Sequence, residues 1–233
     1  MQLNKTNKRL YLLLFCLCLM GALSVLPYMN FLGILPQLST KTWLMAFAQS
    51  CVLYAVVCSL SYLLLKKVDL SPFSTEKPLQ RIAMPAIIAG VMLGLVIFAL
   101  DKTIFSSAAP QLIRPPIWTG ALASFYGGFN EEVLCRLFLL TLFYFLLSKA
   151  FKEQRLLCLG LAIVLSSLLF AASHLPALFK MVYAPSSLSI SRVMVLNALP
   201  GLIFGWLYVS RSLWAAMAGH FFTDLMIHVV LPG

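Results

Sequence analysis

The stretch 130–136, Asn-Glu-Glu-Val-Leu-Cys-Arg, places two adjacent glutamates and an arginine inside an apolar run that extends from residue 117 to residue 147. A run of this length predicts a membrane-spanning helix, which needs about 20 mostly apolar residues. The chain has 233 residues and only seven acidic ones, so two of them inside a span are conspicuous. Because a charge at the centre of a spanning helix costs at least about 2.5–3.5 kcal/mol, the cluster predicts a functional site.

The composition of the whole chain agrees with a membrane protein. Hydrophobic residues make up 61% of it and charged residues 10%, with a mean hydropathy of +0.95. Soluble domains carry roughly 25% charged residues. The net charge of +10 resides mainly in short loops between apolar runs, as topology signals do, so no nucleic-acid partner is predicted.

The hydropathy pattern predicts an all-α, polytopic transmembrane helix bundle of seven spans. They are 10–32, 43–65, 82–100, 117–147, 156–175, 193–209 and 212–231. The fourth is too long for one simple span, which predicts a tilt, a bend near Gly127-Gly128, or a preceding re-entrant segment that would be an eighth membrane element. We expect a single integral membrane domain, 1–233, with accessory helices in 1–110 and the catalytic core in 115–231.

The distribution of basic residues predicts the orientation of the bundle. Loops on the side of the N-terminus carry Lys5, Lys8, Arg9, Lys66, Lys67, Lys77, Arg81, Lys149, Lys152, Arg155 and Arg211. The opposite loops carry only Lys41, Lys102, Arg114, Lys180 and Arg192. The positive-inside rule then places the N-terminus in the cytoplasm and the C-terminus outside, and we expect the membrane to be a bacterial inner membrane.

Two glycine pairs with a spacing of four predict close helix packing. They are Gly90 with Gly94 and Gly201 with Gly205. Glycines four residues apart lie on one helix face and let a neighbouring backbone approach.

The two glutamates are predicted to have different roles. Glu132 and Arg136 are four residues apart and lie on one helix face, with the glutamate on the favourable N-terminal side. Glu131 points about 100° away and remains free to face a cavity. The alternative is a structural polar cluster, but buried ion pairs stabilise poorly, so a functional interpretation is preferred.

Three histidines supply further candidates. His174 ends the fifth span, a position that on its own is more often interfacial than functional. His220, Asp224 and His228 are spaced by four and form one polar stripe on the seventh span, which should face the bundle interior. His228 lies near the end of that span and is expected to reach water.

This set of side chains suits hydrolysis. A glutamate takes a proton from water, one histidine shares that role, and a second histidine polarises a carbonyl. The same set could bind Zn²⁺, which activates water, so the need for a metal cofactor stays open. The candidate ligands are Glu131, His174, His220 and Asp224. Neither an HExxH helix nor a GxSxG elbow occurs.

Three motifs in order resemble one family. They are Glu131 to Arg136 (EExxxR), Phe170 to His174 (FxxxH) and His220 to Asp224 (HxxxD). Together with the segments 200–208 and 212–216 they are similar to the CAAX-processing and bacteriocin-processing (CPBP, or Abi) intramembrane proteases, which include the type II CAAX prenyl endopeptidases. The resemblance covers roughly residues 115–230.

The resemblance implies a role for each residue. Glu131 would be the catalytic glutamate and His174 its partner in activating water, while His220 and Asp224 would bind or polarise the scissile carbonyl. Glu132 and Arg136 would be the supporting pair. Asp224 stands where the prenyl endopeptidases have asparagine, and an aspartate is a better metal ligand but a worse oxyanion donor unless it is protonated.

The sequence therefore predicts an intramembrane endopeptidase with its site between spans four, five and seven. The expected substrate is a membrane-anchored protein or hydrophobic peptide within the lipid bilayer. One alternative is a non-catalytic membrane scaffold or bacteriocin-immunity protein of the same fold. Another is a transporter with a proton relay, against which the lack of an internal repeat argues.

Overall fold

The computed structural model describes residues 7–35, 38–73, 79–108 and 115–231, and these residues form helices and no strand. The α-helices are α1 (Lys8–Ser24), α2 (Leu26–Phe31), α3 (Thr40–Leu65), α4 (Leu79–Thr103), α5 (Ile117–Phe125), α6 (Thr141–Ala150), α7 (Arg155–Ala172), α8 (Leu175–Met181), α9 (Ser187–Ser210) and α10 (Leu213–Leu225). Three segments are π-helical: Tyr126–Glu131, Val133–Leu140 and Met226–Val230. The all-α prediction is confirmed.

Seven helical stretches within the described residues are long and apolar enough to cross a membrane. They are Lys8–Phe31, Thr40–Leu65, Ala83–Thr103, Ile117–Ala150, Arg155–Met181, Ser187–Ser210 and Leu213–Val230. We number them as spans one to seven. The sixth begins earlier than the predicted residue 193, because Ser186 caps it by accepting a hydrogen bond from the backbone N–H of Ser189 at 3.1 Å. Hydropathy alone does not detect such a polar first turn.

The fourth span is one continuous helix of 34 residues, so no re-entrant segment precedes the glutamates between Ile117 and Ala150. At the predicted bend near Gly127-Gly128 the helix is π-helical, over Tyr126–Glu131 and Val133–Leu140. π-Helical turns are rare in proteins, and those that occur are frequently found at functional sites. The unusual backbone of this span therefore coincides with the EExxxR motif.

The predicted glycine contacts hold spans together at close range. A Cβ placed on Gly90 would lie 2.3 Å from the carbonyl oxygen of Gly219, so the backbones of spans three and seven nearly touch. Thr223 Oγ1 donates a hydrogen bond to the Gly90 carbonyl at 3.0 Å across the same contact. A Cβ on Gly201 would lie 2.8 Å from that of Ser167, which brings span six against span five.

The first span is tied to the centre of the fourth. Asn130 is fully buried, and its Nδ2 donates a hydrogen bond to the carbonyl of Cys18 at 2.8 Å. Gly21 lies beside it, where a Cβ would lie 2.1 Å from Asn130 Oδ1. Span one thus packs directly on the residue that precedes Glu131.

An ion pair joins spans three and six at the opposite end of the bundle from Lys8. Arg192 donates to Asp101 with both Nε and Nη2, at 2.5 and 2.9 Å. The orientation of the bundle stays a prediction. Of the basic residues on which it rests, Lys5, Lys77 and Arg114 lie outside the described residues.

Candidate active site

Glu131 lies between two imidazole rings. Its Oε2 is 3.4 Å from Nε2 of His220, and its Oε1 is 3.8 Å from Nε2 of His174. The side chains of Glu131 and His174 are 20% and 33% exposed, whereas that of His220 is 5% exposed. The carboxylate is therefore accessible from one side and held against a buried ring on the other.

Asp224 completes the group. Its Oδ1 lies 3.6 Å from Nε2 of His220, one helical turn earlier on span seven, and its side chain is 14% exposed. The structure thus brings together the four predicted site residues from spans four, five and seven.

Glu132 faces away from this opening and is fully buried. Its Oε1 lies 3.0 Å from Nη1 of Arg136 and 2.7 Å from Nδ1 of His220. Arg136 is equally buried, and its Nη2 donates to the carbonyl of Gly201 at 3.1 Å. The predicted pair thus exists, and it also fixes His220 and span six.

Two phenylalanines enclose the arginine and the histidine. The guanidinium of Arg136 lies 5.0 Å from the ring centroid of Phe170 and 5.4 Å from that of Phe204. The ring of His220 stacks on Phe204 with centroids 4.5 Å apart and an interplanar angle of 22°. Aromatic faces attract cations, so these rings complement the buried charge. Phe204 was not among the predicted residues, because one phenylalanine among 17 gives no signal of its own.

Hydrogen bonds fix the tautomers of both histidines. Nδ1 of His174 lies 2.9 Å from the carbonyl oxygen of Phe170, which can only accept, so Nδ1 carries the proton. Nδ1 of His220 likewise donates to the carboxylate of Glu132. Both rings therefore turn Nε2 toward Glu131, the arrangement that an acid–base or electrophilic role requires.

Gly127 makes room for this arrangement. A Cβ at this position would lie 2.1 Å from Oδ2 of Asp224 and 3.0 Å from Nε2 of His220. The sequence alone predicts only a bend at Gly127, yet the structure gives this glycine a place in the site. Gly127 lies one helical turn before Glu131. This spacing is the feature of the sequence that could have placed Gly127 beside the site.

His228 does not behave as predicted. Its side chain is partly buried, and its Nδ1 lies 3.0 Å from the hydroxyl of Tyr28 in span one, so the expectation that it simply reaches water is wrong. The reason is that the long side chain of Tyr28 reaches the imidazole of His228, with ring centroids 5.1 Å apart. His228 therefore serves helix packing, whereas His220 and Asp224 serve the site.

A ligand set for a metal ion is not formed by the described residues. No three His, Cys, Asp or Glu side chains among them are placed to hold an ion together. Binding of Zn²⁺ at this site stays a prediction.

One family model matches the part of the chain that contains these residues. The family model described as "Type II CAAX prenyl endopeptidase Rce1-like" matches residues 113–226. This region is similar to that family. The Rce1-like region contains all six predicted site residues, which confirms the resemblance drawn from the three motifs. No curated protein and no solved structure matches the chain.

Removal of the Glu132 charge should destabilise the protein. In Glu132→Gln the buried Arg136 loses its counter-charge, and breaking a buried pair from one side costs about 3–5 kcal/mol. We expect a large fall in the thermal unfolding midpoint of purified Glu132→Gln in detergent. The neighbouring variant Glu131→Gln is the control and should unfold near the wild-type temperature.

The double variant Glu132→Gln/Arg136→Met distinguishes a stranded charge from a packing defect. It removes both charges and keeps the volume, a change that is often neutral. We expect it to recover much of the stability lost in Glu132→Gln. Equal stability of Glu132→Gln and wild type would show that the pair does not hold the bundle.

Proposed function

We propose that the protein is an intramembrane endopeptidase that hydrolyses a peptide bond in a membrane-associated protein or peptide. The observation that carries the proposal is that the Glu131 carboxylate is partly exposed to solvent and lies between the Nε2 atoms of His174 and His220. The Rce1-like match supports a protease at the level of the family. The lipid bilayer and a membrane-associated substrate follow from the same family and from the seven spans.

In the proposed first step, Glu131 acts as general base on a water molecule. Its carboxylate takes one proton while the water oxygen bonds to the scissile carbonyl carbon. His174 faces the same carboxylate with Nε2, and its ring is held by the Nδ1–H bond to Phe170. It can therefore share the proton and orient the attacking water.

In the second step, the carbon–nitrogen bond breaks and the proton passes from Glu131 to the leaving amine. The products are a carboxylic acid and an amine, so the added water accounts for all atoms. General acid–base catalysis of this kind typically contributes ~10²–10⁴-fold in rate.

His220 is the proposed electrophile for the carbonyl oxygen. Since its Nδ1–H is donated to Glu132, an N–H at Nε2 exists only in the doubly protonated ring. The carboxylates of Glu132 and Asp224 supply counter-charges for that ring at 2.7 and 3.6 Å. A fixed donor at the developing oxyanion is a major source of rate enhancement.

Asp224 is proposed to support His220 rather than to contact the oxyanion itself. An ionised carboxylate only accepts hydrogen bonds, unlike the amide of the asparagine that the resemblance predicts at this position. The distance from Asp224 Oδ1 to His220 Nε2 suits a counter-ion role. The Asp224 side chain is 14% exposed, so it is not fully enclosed by the protein.

We further propose that the site opens toward the side of the C-terminus. His174 follows α7 and is the most exposed of the four site side chains, but it does not end span five as predicted, because α8 extends that span to Met181. His220 lies seven residues along α10 from Leu213, or about 10.5 Å at 1.5 Å per residue. With the N-terminus in the cytoplasm of a bacterium, exported proteins or bacteriocin-like peptides in the inner membrane are the proposed substrates.

Glu131→Gln tests the catalytic assignment. A deletion strain is complemented with wild type, Glu131→Gln or Glu153→Gln, and membrane-protein termini are compared by proteomics. We expect processing to be lost with Glu131→Gln, because the general base is removed, and to persist with Glu153→Gln, an exposed glutamate. In a purified assay the loss should be ~10²–10⁴-fold.

Normal processing by Glu131→Gln would overturn the site assignment. Unchanged membrane-protein termini in the deletion strain itself would favour the non-catalytic scaffold or immunity protein.

A metal analysis tests the glutamate-based route. We expect active purified protein to contain far less than one equivalent of Zn²⁺ and to keep its activity after dialysis against a chelator. Near-stoichiometric Zn²⁺ by elemental analysis, with inactivation by the chelator, would instead support a metal site at Glu131, His174, His220 and Asp224.

Reporter fusions test the orientation. Alkaline phosphatase fused after residue 233 should be active and a fluorescent protein at the same position dark, because the C-terminus is predicted to lie outside. The reverse pattern would turn the site toward the cytoplasm without affecting the catalytic assignment.

A further inference from the structure

A groove runs between spans one and two, away from the site described above. It has a volume of about 470 Å³, within the range of ligand pockets, which is about 300–1,000 Å³. Its lining includes Tyr11, Phe15, Ala55, Cys58, Tyr62 and Lys8. Leu12 and Leu63 also line it and are 62% and 51% exposed, so the groove faces outward from the bundle.

The chemistry of the groove changes along its length in the same way on both spans. On span one, apolar Phe15 and Leu12 are followed by Tyr11 and then by the exposed Lys8. Going the same way on span two, the lining passes from Ala55 to Tyr62, and Lys66 follows one turn later. Two independent helices thus present the order apolar, tyrosine, lysine toward one end of the bundle.

The two lysines lie beside the tyrosines at that end. The Nζ atom of Lys66 is 4.2 Å from the ring centroid of Tyr62, and the rings of Tyr62 and Tyr11 meet edge to face at 5.3 Å. Lys8 lines the groove itself. Tyrosine is typical of the membrane–water interface, and lysines at that level attract anionic headgroups.

We propose that this groove binds one anionic phospholipid of the leaflet that faces the N-terminal end of the chain. An acyl chain lies along the apolar lining, the glycerol region meets Tyr11 and Tyr62, and the phosphate lies between Lys8 and Lys66. Lys8 and Lys66 complement a negatively charged phosphate, and both helices run from apolar residues to tyrosine to lysine in the same direction. These two features favour a lipid over a second protein helix, which would not need cations at one end. The proposal is independent of the catalytic one.

Native mass spectrometry of the purified protein tests the proposal. The protein is titrated with phosphatidylglycerol and phosphatidylcholine that carry the same palmitoyl and oleoyl chains. We expect wild type to retain one phosphatidylglycerol in preference to phosphatidylcholine. In Lys8→Ala/Lys66→Ala the preference should fall roughly ten-fold or more, because each cation near the surface attracts the headgroup.

The chain offers matched controls for charge. Lys67→Ala/Lys149→Ala removes the same charge from exposed positions at the same end, where both ammonium groups lie over Phe145 instead of the groove. It should keep the wild-type preference. Lys8→Arg/Lys66→Arg should keep it as well, since it retains both cations.

A pair of tryptophan variants tests where the acyl chain lies. Ala55→Trp fills the groove and should reduce binding of both lipids, whereas Val52→Trp places the same bulk at a 69% exposed position outside the groove and should not. All six positions changed to alanine or tryptophan in these tests are exposed, and thermal unfolding verifies that each variant is folded.

Any one of the following results of the binding experiments would overturn the proposal. These are equal binding of the two lipids by wild type, an equal loss of preference in the two alanine double variants, and full lipid binding by Ala55→Trp. A protein segment or second copy found in the groove by cross-linking from position 59 would also overturn it.

Discussion

A buried carboxylate shared between an arginine and a histidine organises this protein. Glu132 Oε1 lies 3.0 Å from Arg136 and 2.7 Å from His220, and Arg136 continues to the carbonyl of Gly201. Spans four, six and seven are therefore joined through one fully buried anion. Since whole-domain stabilities are about 5–15 kcal/mol, an uncompensated buried charge at this point would be a large fraction of the total.

The two adjacent glutamates divide structure from chemistry. Glu132 is fully buried and holds a charged partner, so it is not available to a substrate. Glu131 is partly exposed and faces two Nε2 atoms whose tautomers are set by Phe170 and Glu132. The same residue type thus has two environments, because successive side chains on a helix point in different directions.

Small residues and a widened helix make these contacts sterically feasible. Gly127 leaves space for Asp224 and His220, and Gly90 lets spans three and seven approach until their backbones nearly touch. Glu131 ends the first π-helical segment of span four, and Glu132 lies between this segment and the second one. The aromatic rings of Phe170 and Phe204 then exclude water from the arginine.

The sequence by itself determined the all-α fold, the seven spans, the pairing of Glu132 with Arg136 and the polar stripe of His220 and Asp224. These depend on hydropathy and on helical period, which are local properties that a single chain displays. Only the tertiary structure decided that Glu132 also binds His220, that Phe204 stacks on that ring, that Gly127 makes room for Asp224 and that His228 bonds to Tyr28. Each of these contacts joins residues that are far apart in sequence, so it is set by the packing of whole helices, and an apolar ring or a glycine in a span shows no pattern that reveals its partner.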